Sequence, residues 1–300
     1  VTGAVQEVLP FEDLAETPSV SPWCQRWRVG QHSWRHVRDG GFDARRYRVD
    51  VIQDEEPGKQ FVLTHHYSHS YPAAKIQFGM YDVSGRRRRL VGVAVFGVPV
   101  SSAVLTKPFP DLRPFTESVV CSRFVLLDEC PGNSESWLLA RCHAALLDNG
   151  VRGVVSFADP VPRRTASGVL VMPGHVGTIY AATNAVYAGR ATARTVKVLP
   201  DGTVFNDRTA QKIRRREQGY RYAQEQLIAL GAPRPRPGAD PALWLREALA
   251  AVGTRNVRHR GPHRWVFRLG RTRREREEIR LGLPVQQSYP KHPDPEPVPS

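Results

Sequence analysis

The chain has 300 residues, 41% hydrophobic and 24% charged, with a formal net charge of +14 and an isoelectric point near 10.1. That composition excludes wholesale disorder, and so large a positive surplus predicts a polyanionic partner, nucleic acid first. No apolar run reaches the roughly 18–20 residues of a membrane span. The N-terminal stretch, with Glu7, Glu12, Asp13 and Glu16, lacks the apolar segment of a secretory leader. The four cysteines (Cys24, Cys121, Cys130, Cys142) form no C-x-x-C pair. A cytoplasmic protein with reduced thiols is therefore expected.

Residues 1–60 are weakly patterned and read as an N-terminal element packing on a core that starts at Phe61. A short strand or helix lead-in, Phe61–Thr64, precedes the cluster His65-His66-Tyr67-Ser68-His69. Two strand-like runs, 75–83 and 90–98, flank Ser84-Gly85 and the tetrad Arg86–Arg89, a hairpin signal. A strand over 118–127 leads through Pro131-Gly132-Asn133 into a helix over 134–149, whose Leu138, Cys142, Ala145 and Leu146 share one face. A buried strand, 154–158, ends at Asp159-Pro160. Hairpin, strand, helix and strand in this order predict a mixed α/β sheet.

Beyond it, 177–187 reads as a helix and 195–199 with 203–205 as a second hairpin around Pro200-Asp201-Gly202. Asn206 caps an expected helix over 207–230, 231–239 is a linker, and Asp240-Pro241 opens a shorter helix. A strand over 263–269 and a disordered tail, 292–300, close the chain. The implied division is a catalytic core at 61–206 and a basic extension at 207–291. Residues 207–300 hold 20 Lys and Arg against 10 Asp and Glu, most of the net charge.

Several groups could carry chemistry. Three imidazoles, His65, His66 and His69, leave a metal open, although no Cys or acidic partner stands near them. His66 and Tyr67 could equally hold a substrate, or form a capped polar loop. A strand feeding a glycine-bearing turn into a helix favours anions, so Gly132, Asn133 and Ser134 are candidate donor-phosphate contacts; an ordinary capped helix is the alternative. Asp159, at the C-terminal end of a buried strand, is placed to orient an amine or accept its proton, or merely to cap a turn. Tyr180, behind Gly174 and Gly177, is a candidate acid or a core aromatic. Arg86, Arg87, Arg214, Arg215, Arg216 and Arg264, with Tyr220, Tyr222 and Trp265 interleaved, suit a nucleic-acid surface.

The order of these pieces resembles the Mu-type Mom DNA-modification proteins, a branch of the GCN5-related N-acetyltransferase-like fold. The likeness rests on His66-Tyr67-Ser68, Ser122-Arg123-Phe124, Ser156–Pro160, Gly177–Asn184 with Tyr187 and Gly189, His263-Arg264-Trp265 and Tyr289-Pro290-Lys291, and spans about 61–291. It implies a transferase that alters the N6 amine of adenine in double-stranded DNA, a carbamoylmethyl-type change that protects against restriction. His66, Tyr67, Asp159 and Tyr180 would be catalytic and Arg123 would hold an anionic group of the donor. That donor would be an acyl-coenzyme-A-like thioester or an aminoacyl-tRNA, because the usual Gly-rich coenzyme-A loop is absent. The stretch 161–173, with Arg163-Arg164, departs from the family as an insertion. Rival readings are an N-acyltransferase, coenzyme-A- or aminoacyl-tRNA-dependent, acting on a small-molecule or protein amine, and a DNA-binding accessory protein without activity.

Overall fold

The computed structural model describes residues 27, 28, 31, 32, 42–99 and 101–295. Two short strands, β1 (Trp27–Arg28) and β2 (Gln31–His32), pair with each other near the N-terminus. A seven-stranded mixed sheet then organises the chain. Strands β3 (Tyr47–Val51), β4 (Ala74–Asp82), β5 (Arg89–Gly97) and β6 (Ser118–Leu126) run antiparallel in succession. Strand β7 (Gly153–Ala158) lies parallel to β6. A parallel neighbour requires a crossover, and helix α3 (Ser134–Asp148) supplies it. The α/β class expected from the sequence is the class observed.

Alternation divides the central strands between two covered faces. Along β5, Ala94 and Phe96 face the cluster under α3, while Val93 and Val95 face helix α1 (Glu55–His65) with Phe61 and Val62. The short helix α2 (Ala103–Thr106) and Ile279 cover Val120 and Val155 farther along that second face. Strands covered on both sides are near-continuously apolar, which is why this part is the most readable in the sequence. Helix α1 starts where the Asp54 side chain accepts from the Glu56 N–H. The expected boundary at residue 60 therefore falls inside a helix, and β3 is already part of the sheet.

After β7 come a two-stranded ribbon, β8 (Arg163–Arg164) with β9 (Leu170–Met172), and a one-turn helix, α4 (Thr178–Ala182). The helix expected over 177–187 is thus corrected: Asn184 turns left-handed at φ 66°, and β10 (Val186–Arg190) begins. Strand β10 pairs with β14 (His263–Arg268), which pairs in turn with β7. A central strand of the sheet therefore lies inside the stretch expected to be an extension, and the boundary at 206 is not structural.

What stands between β10 and β14 is the far end of the ribbon they form. Arg190 pairs with His263, and beyond a kink at Ala191–Thr192 and Arg260–Pro262 the same register resumes, Arg194 pairing with His259. Here the strands are β11 (Arg194–Val198) and β13 (Arg255–His259), with β12 (Val204–Phe205) on the other side of β11. Gly261 makes the kink possible: its φ is 94°, and a Cβ there would lie 2.0 Å from the Ala191 carbonyl oxygen. Helices α5 (Asp207–Arg215), α6 (Tyr220–Ala229) and α7 (Pro241–Ala251) pack around Ile213, Leu227, Trp244 and Leu245 as a second small core. The single helix expected over 207–230 breaks where Arg216 and Gly219 take left-handed conformations.

The chain returns through α8 (Arg273–Glu277) along the core. The start of the tail, expected to be disordered, is held: Arg190 donates to the Asp294 carboxylate and the Asp294 N–H donates to Pro160 O. Residues 296–300 lie outside the described residues, as do Cys24 and most of the N-terminal 41. Cys121, Cys130 and Cys142 are buried. Among the described residues no helix is long and apolar enough to cross a membrane.

Candidate active site

The parallel pairing of β6 and β7 runs from Ser118–Gly153 to Cys121–Ser156 and stops there. Beyond it β6 stays bound to β5 while β7 stays bound to β14, so the two strands part. Arg123 lies on one lip of the split and Asp159 just past the other. This places the functional side chains at the carboxyl ends of strands, where the backbone of an open α/β sheet leaves room for a ligand.

Asp159 is the best-tied group. One oxygen accepts from the Val161 N–H at 3.1 Å and from His259 Nε2 at 2.9 Å; the other lies 3.5 Å from Arg163 Nη2. His259 Nδ1 accepts from the Gly261 N–H at 2.9 Å, so in a neutral ring the proton sits on Nε2 and points at the carboxylate. Burial would raise the Asp159 pKa, but the His259 hydrogen bond and the Arg163 charge outweigh it and hold the carboxyl at about 2. Asp159 is an ionised group in a largely buried place.

Tyr67 faces this group from the loop after α1. Its hydroxyl is 3.4 Å from His175 Nε2, and the Arg163 guanidinium lies 5.9 Å from its ring centroid. Burial first, then the Asp159 charge, raises its pKa, so the phenol keeps its proton. His66 stacks against Tyr67 at 4.2 Å and its Nδ1 meets the Ser68 hydroxyl and N–H. Burial and the cationic Arg123 keep His66 well below the usual imidazole range and hence neutral. Arg123 donates from Nε to Ser70 O, from Nη2 to Ser70 Oγ and from Nη1 to Ser122 O. Two of these bonds tether the 66–70 loop to β6 and the third goes back to β6 itself, which leaves less of the fork for a donor anion than the sequence alone suggests.

Tyr180 closes the back of the site. It is 6% exposed, packs on Trp265 and Phe267, and burial pushes its hydroxyl well above the usual phenol range. It is a hydrogen-bond donor from within the core rather than a facile acid. Its position depends on Gly177, whose φ is 82° and where a Cβ would lie 2.5 Å from Trp265 Nε1. Gly177→Ala is expected to cost about 2–4 kcal/mol, from the left-handed backbone together with overpacking. Thermal unfolding checks this; a melting temperature unchanged within a degree would contradict the close approach.

The other candidates separate. His65 packs on Phe61 and His69 Nδ1 on Leu63 O, so His65, His66 and His69 do not converge. Among the described residues no group of three His, Cys, Asp or Glu could hold a metal ion. The turn before α3 holds Gly132, Asn133 and Ser134. Asn133 makes no side-chain cap, the Ser134 hydroxyl and N–H both go to Pro131 O, and a Cβ at Gly132 would meet nothing. Asp128, Glu129 and Glu135 flank it, with Glu129 paired to Arg89. Arg86 and Arg87 are exposed at the β4–β5 turn, Arg214, Arg215 and Arg216 at the end of α5; Arg264 lies over Phe157 on β14.

Three site residues escaped the sequence reading of roles: Arg163, His175 and His259. Arg163 stood in the stretch noted as an insertion, and His175 in the glycine segment before α4. His259 was hidden in the run Arg258–Arg260, yet alternation along β13 would have turned it inward with Val257.

A family model described as the Mom protein family matches residues 46–291. The chain belongs to the Mom protein family. The match begins at the foot of β3, fifteen residues before the stretch on which the resemblance was read. Among solved structures, a GNAT family N-acetyltransferase from Escherichia coli in complex with CoA is 12% identical, covering 49% of this chain and 72% of its own, at a TM-score of 0.31. A tandem GNAT protein from the clavulanic acid biosynthesis pathway is 12% identical over 70% of each chain, at 0.32. These likenesses are distant, and for this Mom family chain the mixed α/β class rests on the sheet itself. No curated protein matches the chain.

Proposed function

We propose that this Mom family chain is a transferase that modifies the N6 amine of adenine in double-stranded DNA, adding a carbamoylmethyl-type group that hinders restriction. The observation that carries this reading is the convergence of His66, Tyr67, Arg123, Asp159 and Tyr180. They come from a loop, two strand ends and a helix, and meet where β6 and β7 part.

Adenine N6 is a weak nucleophile because its lone pair is delocalised into the ring, and inside a duplex it is not open to attack. The base has to leave the stack, and the site has to supply position and electrostatics. Asp159 suits both tasks. Its fixed negative charge accepts an N6–H and opposes the positive charge that grows on nitrogen as it attacks. A weak base is sufficient, because N6 becomes strongly acidic once it has attacked and carries positive charge. Tyr67, protonated, donates to the departing carrier, so that the bond from N6 to the transferred carbon forms as the bond from that carbon to its carrier breaks. The donor is an acyl-type carrier; the turn at Gly132–Ser134 gives no support to a coenzyme-A pyrophosphate there. The basic inserted helices would hold phosphates without reading sequence.

The test is to express the chain in cells, digest their DNA and weigh the nucleosides. A heavier deoxyadenosine is expected. Unmodified deoxyadenosine beside folded protein would end this reading, and modification of a small amine or protein instead would favour the general N-acyltransferase.

A further inference from the structure

Asp159 has different surroundings on its two sides. On one side are Tyr67, His66 and Arg123. On the other is a cleft between the end of β7 and the three-stranded sheet of the inserted ribbon, lined by Val196, Val198, Val204, Val257, Arg255 and His259 among others. Its volume is about 80 Å³, enough to grip the edge of a flat ring rather than to enclose one.

The valines are an oddity of packing. Val196, Val198 and Val257 form a cluster with Val204 that merges with neither the main core nor the core of the inserted helices. They present a flat apolar wall, the product of strand alternation on β11 and β13. Opposite the wall the polar groups are few and directed. Asp159 is an anionic acceptor. Arg163, 13% exposed in its side chain, and His259 hold it in place from either side. Arg255 donates from Nη2 to Arg164 O, but its Nε is buried and has no hydrogen-bond partner among the described residues. A buried donor calls for an acceptor, and this one belongs to a residue that lines the cleft.

A flat apolar wall, one ionised acceptor and one unanswered donor are the complement of a purine that carries an amino group beside ring-nitrogen acceptors. We propose that this cleft is the nucleobase subsite, which receives the everted adenine with N6 on Asp159, a ring nitrogen toward Arg255 and a face on Val198 and Val257. The inference rests on the adenine-modifying reading above. It gives the inserted ribbon a role beyond charge: β11 and β13 build the pocket, and His259 aims the carboxylate into it.

The test follows valine methyl resonances by NMR while the protein is titrated with deoxyadenosine 5′-monophosphate and, separately, thymidine 5′-monophosphate. The Val198 and Val257 methyls are expected to shift with the adenine nucleotide, which binds at least about five-fold more tightly than the thymidine nucleotide, since thymine offers no amino group to Asp159. Val257→Phe, which fills the cleft, and Arg255→Gln should each weaken that binding by a similar factor. Arg255→Gln, at a partly exposed position, keeps the test decisive if the phenylalanine variant fails to fold. Equal binding of both nucleotides, or shifts confined to α5, overturns the subsite. Nucleotide binding without any modified nucleoside would instead sink the reaction and leave the subsite standing.

Discussion

Asp159→Asn is expected to lower the yield of modified adenine by about 10²–10³-fold while leaving salt-dependent DNA binding in place. The amide keeps the shape of the side chain and can still accept from His259 Nε2, so the effect isolates the charge. In the proposed reaction that charge faces the attacking N6; in the structure it pairs with Arg163 at 3.5 Å. The same substitution has a stability signature. Asp159 titrates at about 2 in the folded chain against an ordinary 3.8, a depressed carboxyl. Its contribution of roughly 2 kcal/mol is therefore complete above about pH 4 and is lost as the pH falls through 2. The variant should unfold more readily at pH 7, and the gap from the parent protein should close between pH 4 and 2. An unchanged nucleoside yield would remove Asp159 from the chemistry; an unchanged gap across that pH window would mean that its carboxylate is not held by His259 and Arg163.

The parts of the fold that were legible are those in which one local rule decides the outcome. Strands β5 to β7 are rich in Val and Phe, β4 alternates Ile76, Phe78 and Met80 with other residues, and α3 repeats Leu138, Cys142 and Leu146 on one face, so local pattern located them. The ribbon was not legible because its register is tertiary. Nothing near Arg194 in sequence says that its partner is His259, or that β14 will enter the sheet between β10 and β7. The break between α5 and α6 turns on the left-handed Arg216, which the surrounding helix formers conceal. At the site, His66, Tyr67, Asp159 and Tyr180 were candidates from residue chemistry with rival roles left open, the resemblance added Arg123 and implied a role for each, and the structure brings the five together. It also changes two of them. Arg123 spends much of its fork on Ser70, and Tyr180 is a core aromatic whose hydroxyl does not readily leave its proton. His259 was obscured by flanking arginines, a case in which composition masked a strand pattern.

Arg214→Gln with Arg215→Gln is expected to reduce the salt dependence of duplex binding by about 1–2 in log–log slope, and to weaken binding roughly ten-fold or more at physiological salt. Both residues are exposed at the last turn of α5, which Ala210 and Ile213 anchor to the small core from its buried face. Arg214 also lines a surface groove with Lys197 and Arg246, so that β11, α5 and α7 each contribute a cation to one surface. The other arginine run differs in kind. Arg271, Arg273, Arg274 and Arg280 pair with Asp148, Glu277, Glu278 and Asp111, so their charge is answered within the chain. A phosphate would have to displace a carboxylate there, with little net release of counterions. Arg273→Gln with Arg274→Gln should accordingly change the slope by well under one. Fluorescence anisotropy with a labelled duplex at several salt concentrations separates the two pairs. If both double variants lower the slope equally, the grip on DNA is spread over the whole basic surface; if neither does, the inserted helices are not where the duplex lies.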